Sequence, residues 1–270
     1  MKKYLVIGNP IDHSMSPLIH NYWMKKYHLS NSIYDKKKVE EKDLKNIIQE
    51  IKDNKIIGMN VSVPFKKLII PFLDKLNPIA EKTESVNTVL KINNQIMGYN
   101  TDQPGFNLTV EELFPNNKIK GKTVFILGAG GVTSSIIHSL ENKDVEIIIS
   151  NRTRNKAEEL KKKYKKIEVL DWGKRPTKCD VVINTTSIGL KKNEKINLNF
   201  DDCEGCDDKL FYDLIYNPQE TVFLKEARLR GNKVINGQKM FLYQAKYAFD
   251  LWMNIKPEID DEIIKFFKND

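Results

Sequence analysis

Lys122-Thr-Val-Phe-Ile-Leu-Gly128-Ala-Gly-Gly131 is a short apolar run that stops on a glycine-rich turn. Residues 131–141 then carry apolar side chains at helical spacing. Val145-Glu-Ile-Ile-Ile-Ser150 follows, an almost continuous β-branched run of the kind found in strands buried on both faces. Strand, glycine turn, helix and strand is the order of a dinucleotide-binding βαβ unit, whose free amides and helix N-terminus hold a pyrophosphate. Gly128, Ala129, Gly130, Gly131 and Val132 are its candidate contact residues. Thr133 stands where the strict glycine pattern has a third glycine, which predicts slightly looser packing of helix on strand. An ordinary βαβ turn without a ligand stays open on this motif alone.

The end of the second strand selects between nucleotides. An Asp or Glu there binds a ribose 2′-hydroxyl, whereas an Arg accommodates a 2′-phosphate. Asn151-Arg152-Thr153-Arg154 follows Ser150, with Lys156 beyond, and no acid intervenes. Guanidinium forks bind phosphate bidentately, so the stretch predicts NADP(H). These cations also suit the solvated start of the charged helix expected over 155–164, and one of the three is expected to belong there.

A chain of 270 residues can form two modest domains and bury a sizeable core. It has no apolar run of about eighteen residues and enters a strand at once, so neither a membrane span nor a signal peptide is expected and a cytoplasmic protein is. The three cysteines, Cys179, Cys203 and Cys206, make an odd count that argues against a disulfide framework. Cys203-Glu-Gly-Cys206 lacks a second ligand pair and reads as a solvent-facing coincidence, with no metal. The net charge of +8 comes from scattered lysines, clustered at 36–38 and 161–166 without interleaved aromatics. Solvated faces explain them better than nucleic-acid binding.

Strands are predicted over 3–8, 32–36, 57–63, 86–91, 95–99, 122–127, 145–150, 167–169, 180–184, 209–213 and 233–235. Helices are predicted over 16–27, 40–53, 65–74, 104–113, 131–141, 154–165, 219–229, 238–254 and 258–268. The alternation implies an α/β fold with parallel sheets covered by helices.

Four polar clusters mark element ends outside the nucleotide unit. In Ser14-Met-Ser16-Pro17, Ser16 before proline reads as a helix cap, yet both serines also lie where free helix amides suit a carboxylate. His13 and His20 lack ligand-spaced partners and read as structural. Asn60-Val-Ser62-Val-Pro64-Phe-Lys66 sets Ser62 and Lys66 at a carboxyl sheet edge, where open α/β sheets bind ligands. Asn87-Thr88 opens a strand, and Asn100-Thr-Asp102 precedes a helix that Asp102 could merely cap. Near the end, Met240, Gln244, Tyr247, Ala248 and Leu251 fall on one helical stripe. Gln244 is an amide on that apolar face and needs a hydrogen-bond duty, internal or to a ligand.

Taken in order, these motifs resemble the shikimate dehydrogenase family. Gly128-Ala-Gly-Gly131, Asn151-Arg-Thr153, Asn184-Thr-Thr-Ser-Ile-Gly189, Tyr212-Asp-Leu-Ile-Tyr216-Asn-Pro218 and Gly237…Met240…Gln244 complete a series that spans nearly the whole chain. The resemblance implies that Ser14, Ser16 and Tyr216 hold the shikimate carboxylate. It implies that Ser62, Lys66, Asn87, Asp102 and Gln244 bind the ring hydroxyls, with Lys66 and Asp102 as the catalytic pair. Leu214 and Gly237 would lie near the nicotinamide. Ser62 stands where the family usually has Thr, Leu190 where Met commonly follows the glycine, and Lys156 where Arg is frequent.

The implied activity is reversible NADPH-dependent reduction of 3-dehydroshikimate to shikimate, on the route to chorismate and aromatic amino acids. The residue types suit it. A Lys ammonium is both a proton donor and a positive charge for a developing alkoxide, and neutral Asn, Gln and Ser can read a polyol. The rivals are a quinate/shikimate dehydrogenase of relaxed specificity and a catalytically silent NADP-binding sensor. Residues 1–103 with 238–270 are expected as the substrate domain and 104–237 as a Rossmann-like NADP-binding domain, with a cleft between them. The partner is a small molecule, without nucleic acid or membrane, acting on a monomer or homodimer.

Overall fold

Two separate six-stranded sheets organise the computed structural model, which describes residues 1–164, 166–198 and 209–267. The chain divides into two units. One is Met1–Gly105 with Leu242–Phe266; the other is Phe106–Phe241 and, among the described residues at the chain end, Phe267.

The first sheet contains β1 (Lys2–Gly8), β2 (Ser32–Lys38), β3 (Gly58–Val61), β4 (Lys75–Leu76), β5 (Thr88–Ile92) and β6 (Gln95–Tyr99). Its order is β2-β1-β3-β5-β6-β4. Parallel strands flank β1 on both sides. However, β5 runs antiparallel to β3, and β6 antiparallel to β5, so the expected parallel sheet is a mixed one here. The cause is local. Asn93 and Asn94 both adopt positive φ, 48° and 63°, the backbone of a type I′ two-residue hairpin. Side chains of β1 alternate as a strand requires. Leu5 and Ile7 pack with Leu44, Ile47, Ile48 and Ile51, whereas the Tyr4 ring lies 5.4 Å from Trp252.

Two short elements escape the sequence reading, β4 and the helix Pro78–Thr83, because neither is long enough to establish a period. The helix expected over 65–74 is Phe65–Leu68 followed by a 3-10 turn, Ile70–Phe72. Pro71 has no amide to donate and ends the α-helical pattern.

The second sheet is wholly parallel: β7 (Thr123–Leu127), β8 (Glu146–Ser150), β9 (Ile167–Leu170), β10 (Val181–Asn184), β11 (Leu210–Asp213) and β12 (Lys233–Ile235). Its order is β12-β11-β10-β7-β8-β9. Counted from β7, this is the doubly wound Rossmann order, and it reverses between β7 and β10. Val124, Ile126, Ile147, Ile149 and Ile183 build its core against Ile136, Ile137 and Leu140 of the helix Thr133–Leu140. Among the described residues no helix is long and apolar enough to cross a membrane. Cys179 is buried; Cys203 and Cys206 lie outside the described residues.

Candidate active site

In the first unit, Lys66 and Asp102 form an ion pair. The ammonium donates to Asp102 Oδ2 at 2.6 Å, and the two side chains keep 14% and 7% of their exposure. The pair is therefore largely withdrawn from water yet still open at Lys66. Asp102 lies in the first turn of the helix Asp102–Leu113. Its carboxylate serves Lys66 and Asn87, whose Nδ2 donates to Oδ1 at 3.0 Å. Both carboxylate oxygens of Asp102 are thereby engaged by side chains. A helix-start cap comes from Asn100, its Oδ1 accepting from the Gln103 amide at 3.0 Å.

Asn87, just before β5, is the hub of this cluster. Its Nδ2 also faces Thr101 Oγ1 at 2.8 Å and Gln244 Oε1 at 3.3 Å. Its Oδ1 accepts from the Thr101 amide at 2.8 Å. Asn60 in β3 braces it from behind, donating to Asn87 O and Thr88 Oγ1 at 3.0 Å while accepting from Tyr34 OH at 2.5 Å. A buried polar network of this kind is rigid only when fully paired, and these bonds pair it. Gln244 is thus bonded to Asn87 and half-buried. The buried face of the helix Gln238–Met253 is wider than the expected stripe. Met240 and Ala248 of that stripe are buried, but so are Leu242, Ala245 and Phe249, while Tyr247 is 36% exposed.

Ser62 follows β3, and its amide donates to Ile7 O at 2.8 Å. A Cβ on Gly8 would come within 3.2 Å of Ser62 Cβ, so the turns after β1 and β3 lie side by side. The β1 turn leads to Ser14 and Ser16. Ser16 lies inside the helix Ser16–Lys26 instead of capping it, and its amide donates to Ser14 Oγ at 3.3 Å. His20 is wholly buried and stacked 4.3 Å from Tyr34. Burial lowers its pKa to about 3, so it is a neutral core ring. Among the described residues no group of His, Cys, Asp or Glu is arranged to hold a metal.

In the second unit the glycine turn sits at the switch point of the sheet. Gly128 has φ +112°, and a Cβ there would meet Thr185 Oγ1 at 2.6 Å. Thr133, in place of a third glycine, is wholly buried. Its buried hydroxyl accepts from the Gly130 amide at 3.1 Å and shares a 2.8 Å hydrogen bond with Thr185. The Ala129 amide is taken by Asn151 Oδ1 at 3.0 Å, which ties the turn to the end of β8. The amides of Gly131 and Val132 have no acceptor among the described residues, at the N-terminus of the helix Thr133–Leu140. That is a ready anion site.

The cations beyond β8 divide. Arg154 is engaged by Asp171 and Glu158, so it belongs to the helix Arg154–Lys163. Arg152 and Lys156 are exposed and form no ion pair among the described residues. Thr153 precedes that helix, its carbonyl accepting from Asn151 Nδ2 at 2.7 Å. Free amides, an unpaired Arg and Lys, and a strand end without acid fit a dinucleotide bearing a 2′-phosphate.

Beyond β11, Leu214 and Gly237 touch through backbone. A Cβ on Gly237 would fall 2.0 Å from Leu214 O, so only glycine fits. Tyr216 stacks on Phe241 with ring centroids 4.2 Å apart.

The family model described as "Shikimate dehydrogenase substrate binding domain" matches residues 6–89, and that described as "Shikimate / quinate 5-dehydrogenase" matches residues 109–213. The chain belongs to the shikimate dehydrogenase family. It is 50% identical over 264 residues to the shikimate dehydrogenase (NADP(+)) of Pelagibacter ubique, covering 97% of each chain. The crystal structure of shikimate dehydrogenase from Aquifex aeolicus is similar with a TM-score of 0.87 at 33% identity, over 100% of this chain and 98% of that one. A shikimate dehydrogenase crystallised in complex with NADP+ gives a TM-score of 0.87 at 35% identity, over 100% and 94%.

Three residues at these family sites are not singled out by sequence reasoning: Thr101, Thr185 and Asp213. Each lies within a quoted motif, but its contact is made across strands and has no signal in local spacing. Asp213, at the end of β11, is wholly buried. Burial raises its pKa from 3.8 to about 6, against hydrogen bonds from Thr221, Ile215 and Asn184 that lower it. The unfolded carboxyl releases its proton near pH 3.8, the folded one near 6. Between these values the folded state holds more proton, so this group's contribution to stability is full below about 4 and is lost as pH rises to about 6. Asp213→Asn cannot titrate, and its melting temperature should therefore fall less than wild type's across that window. Parallel curves for the two proteins would assign the slope to other groups.

Proposed function

We propose that the chain catalyses the reversible NADPH-dependent reduction of 3-dehydroshikimate to shikimate, and that it does so in the cytoplasm. The observation that carries this reading is the withdrawn Lys66–Asp102 pair set beside the neutral amides of Asn87 and Gln244. NADPH, when bound, supplies the hydride. Lys66 donates a proton from Nζ to the alkoxide oxygen that forms, and the same nitrogen takes it back in the reverse direction. Asp102 keeps the ammonium aimed and charged. Ser14 and Ser16, at the start of the helix Ser16–Lys26, are assigned to the substrate carboxylate. The first unit, with Lys66, Asp102 and Gln244, is read as the substrate domain. The second is read as the NADP(H) domain, through Gly128–Val132, Asn151, Arg152, Thr153, Lys156, Leu214 and Gly237. Arg154 is set aside, because Asp171 and Glu158 already hold it.

Steady-state assay with shikimate or quinate, each against NADP+ or NAD+, tests the proposal. Shikimate with NADP+ is expected to give the highest kcat/KM. Comparable rates with quinate or NAD+ would favour the relaxed-specificity enzyme, and NADPH binding without any turnover the silent sensor. Gln244→Ala should raise the KM for shikimate about 2- to 10-fold, the worth of one neutral hydrogen bond, with little change in melting temperature. An unchanged KM with a clearly lower melting point would make the amide a purely internal bond to Asn87.

A further inference from the structure

Asp213 has a wider reach than a carboxylate that only satisfies its neighbours. Its Oδ1 accepts from Asn184 Nδ2 and from the Ile215 amide, both at 3.0 Å, and its Oδ2 accepts from Thr221 Oγ1 at 2.6 Å. No cation pairs with it among the described residues, so a buried negative charge is balanced by three dipoles alone. Each donor governs a different piece of the carboxyl edge. Asn184 ends β10, and its Oδ1 accepts from the Thr186 amide and hydroxyl while its Nδ2 also donates to Ile188 O. It thereby shapes the turn over 185–189. Ile215 belongs to the turn over 214–217, and its carbonyl accepts from the Gly237 amide at 3.0 Å. Thr221 caps the helix Val222–Leu229 and presses against Gly189, where a Cβ would lie 3.1 Å from Thr221 Cγ2.

A dinucleotide bound to this sheet spans the point where strand order reverses. Arg152, beyond β8, places the 2′-phosphorylated adenosine half on one side of β7. The other half must then lie across β10 and β11, over the two turns that Asp213 ties together. We propose that Asp213 is a positioning residue that fixes the turns over 185–189 and 214–217 to receive the nicotinamide half of the cofactor. This rests on the NADP(H) reading above.

The test compares binding of NADPH with binding of 2′,5′-ADP, which offers only the adenosine half, to wild type, Asp213→Asn and Thr221→Val. For Asp213→Asn, NADPH affinity should fall at least about tenfold, the equivalent of one charge-assisted hydrogen bond, while 2′,5′-ADP affinity stays near wild type. Thr221→Val removes one of the three donors and keeps the shape, so it should show the same split more weakly; it also answers for Asp213→Asn should that variant fold poorly. Equal losses for both ligands, or none for either, would overturn the proposal. A wild type that binds neither ligand would overturn the NADP(H) reading itself, and this proposal with it.

Discussion

Lys66→Ala should lower kcat by about 10²- to 10⁴-fold, the usual worth of a positioned general acid, while NADPH affinity changes little. The reasons lie in the first unit. Lys66 contributes a side chain only 14% exposed, and its ammonium is bonded to Asp102 at 2.6 Å. Removing it leaves a carboxylate that is 7% exposed with Asn87 as its remaining partner. That orphaned charge should lower the melting temperature, and a double variant separates the two effects. Lys66→Ala with Asp102→Asn removes the orphaned charge, so it should recover any lost melting temperature without recovering turnover. Pre-steady-state measurement of hydride transfer is the decisive readout. A Lys66→Ala protein that keeps half of wild-type kcat would remove Lys66 from the mechanism.

How much of this is legible in the sequence depends on whether a residue acts along the chain or across it. The glycine turn after β7, the strand ending at Ser150 and the Lys66 helix start all announce themselves through local period and punctuation. The mixed first sheet is less visible. Asn93-Asn94 is a hairpin turn by its backbone, yet its sequence lacks the glycine that usually marks one. Arg154 shows the opposite difficulty. Its position in Asn151-Arg-Thr-Arg154 suits phosphate, and only the arrival of Asp171 from beyond β9 reveals that it is already paired. Thr133 reads as a flaw in a glycine pattern until Thr185, 52 residues later, turns out to be its hydrogen-bond partner. The stripe through Gln244 is only part of the buried face because the helix Gln238–Met253 changes surroundings partway along. Met240 packs in the core of the second unit, whereas Leu242 onward belongs to the first. A single helical period cannot describe both ends.

Arg152→Glu should raise the KM for NADPH by about 10- to 150-fold and leave that for NADH nearly unchanged, since an Arg–phosphate hydrogen bond is worth roughly 1.5–3 kcal/mol. Charge reversal adds repulsion to the lost contact, so the upper part of that range is expected at low ionic strength, with partial relief as salt screens the pair. The choice of Arg152 over its neighbour follows from pairing. Arg154 bonds Glu158 through Nε at 3.1 Å and also holds Asp171, whereas Arg152 is exposed with no such partner among the described residues. Arg154→Ala is therefore the matched control. It breaks exposed ion pairs worth about 0–1 kcal/mol and should leave the NADPH-to-NADH ratio where it is. If Arg152→Glu weakened both cofactors alike, the cation would be acting on the fold of the β8 turn. If Arg154→Ala moved the ratio and Arg152→Glu did not, the Asp171 pair would have to open on binding, and the phosphate would be read by the residue already engaged.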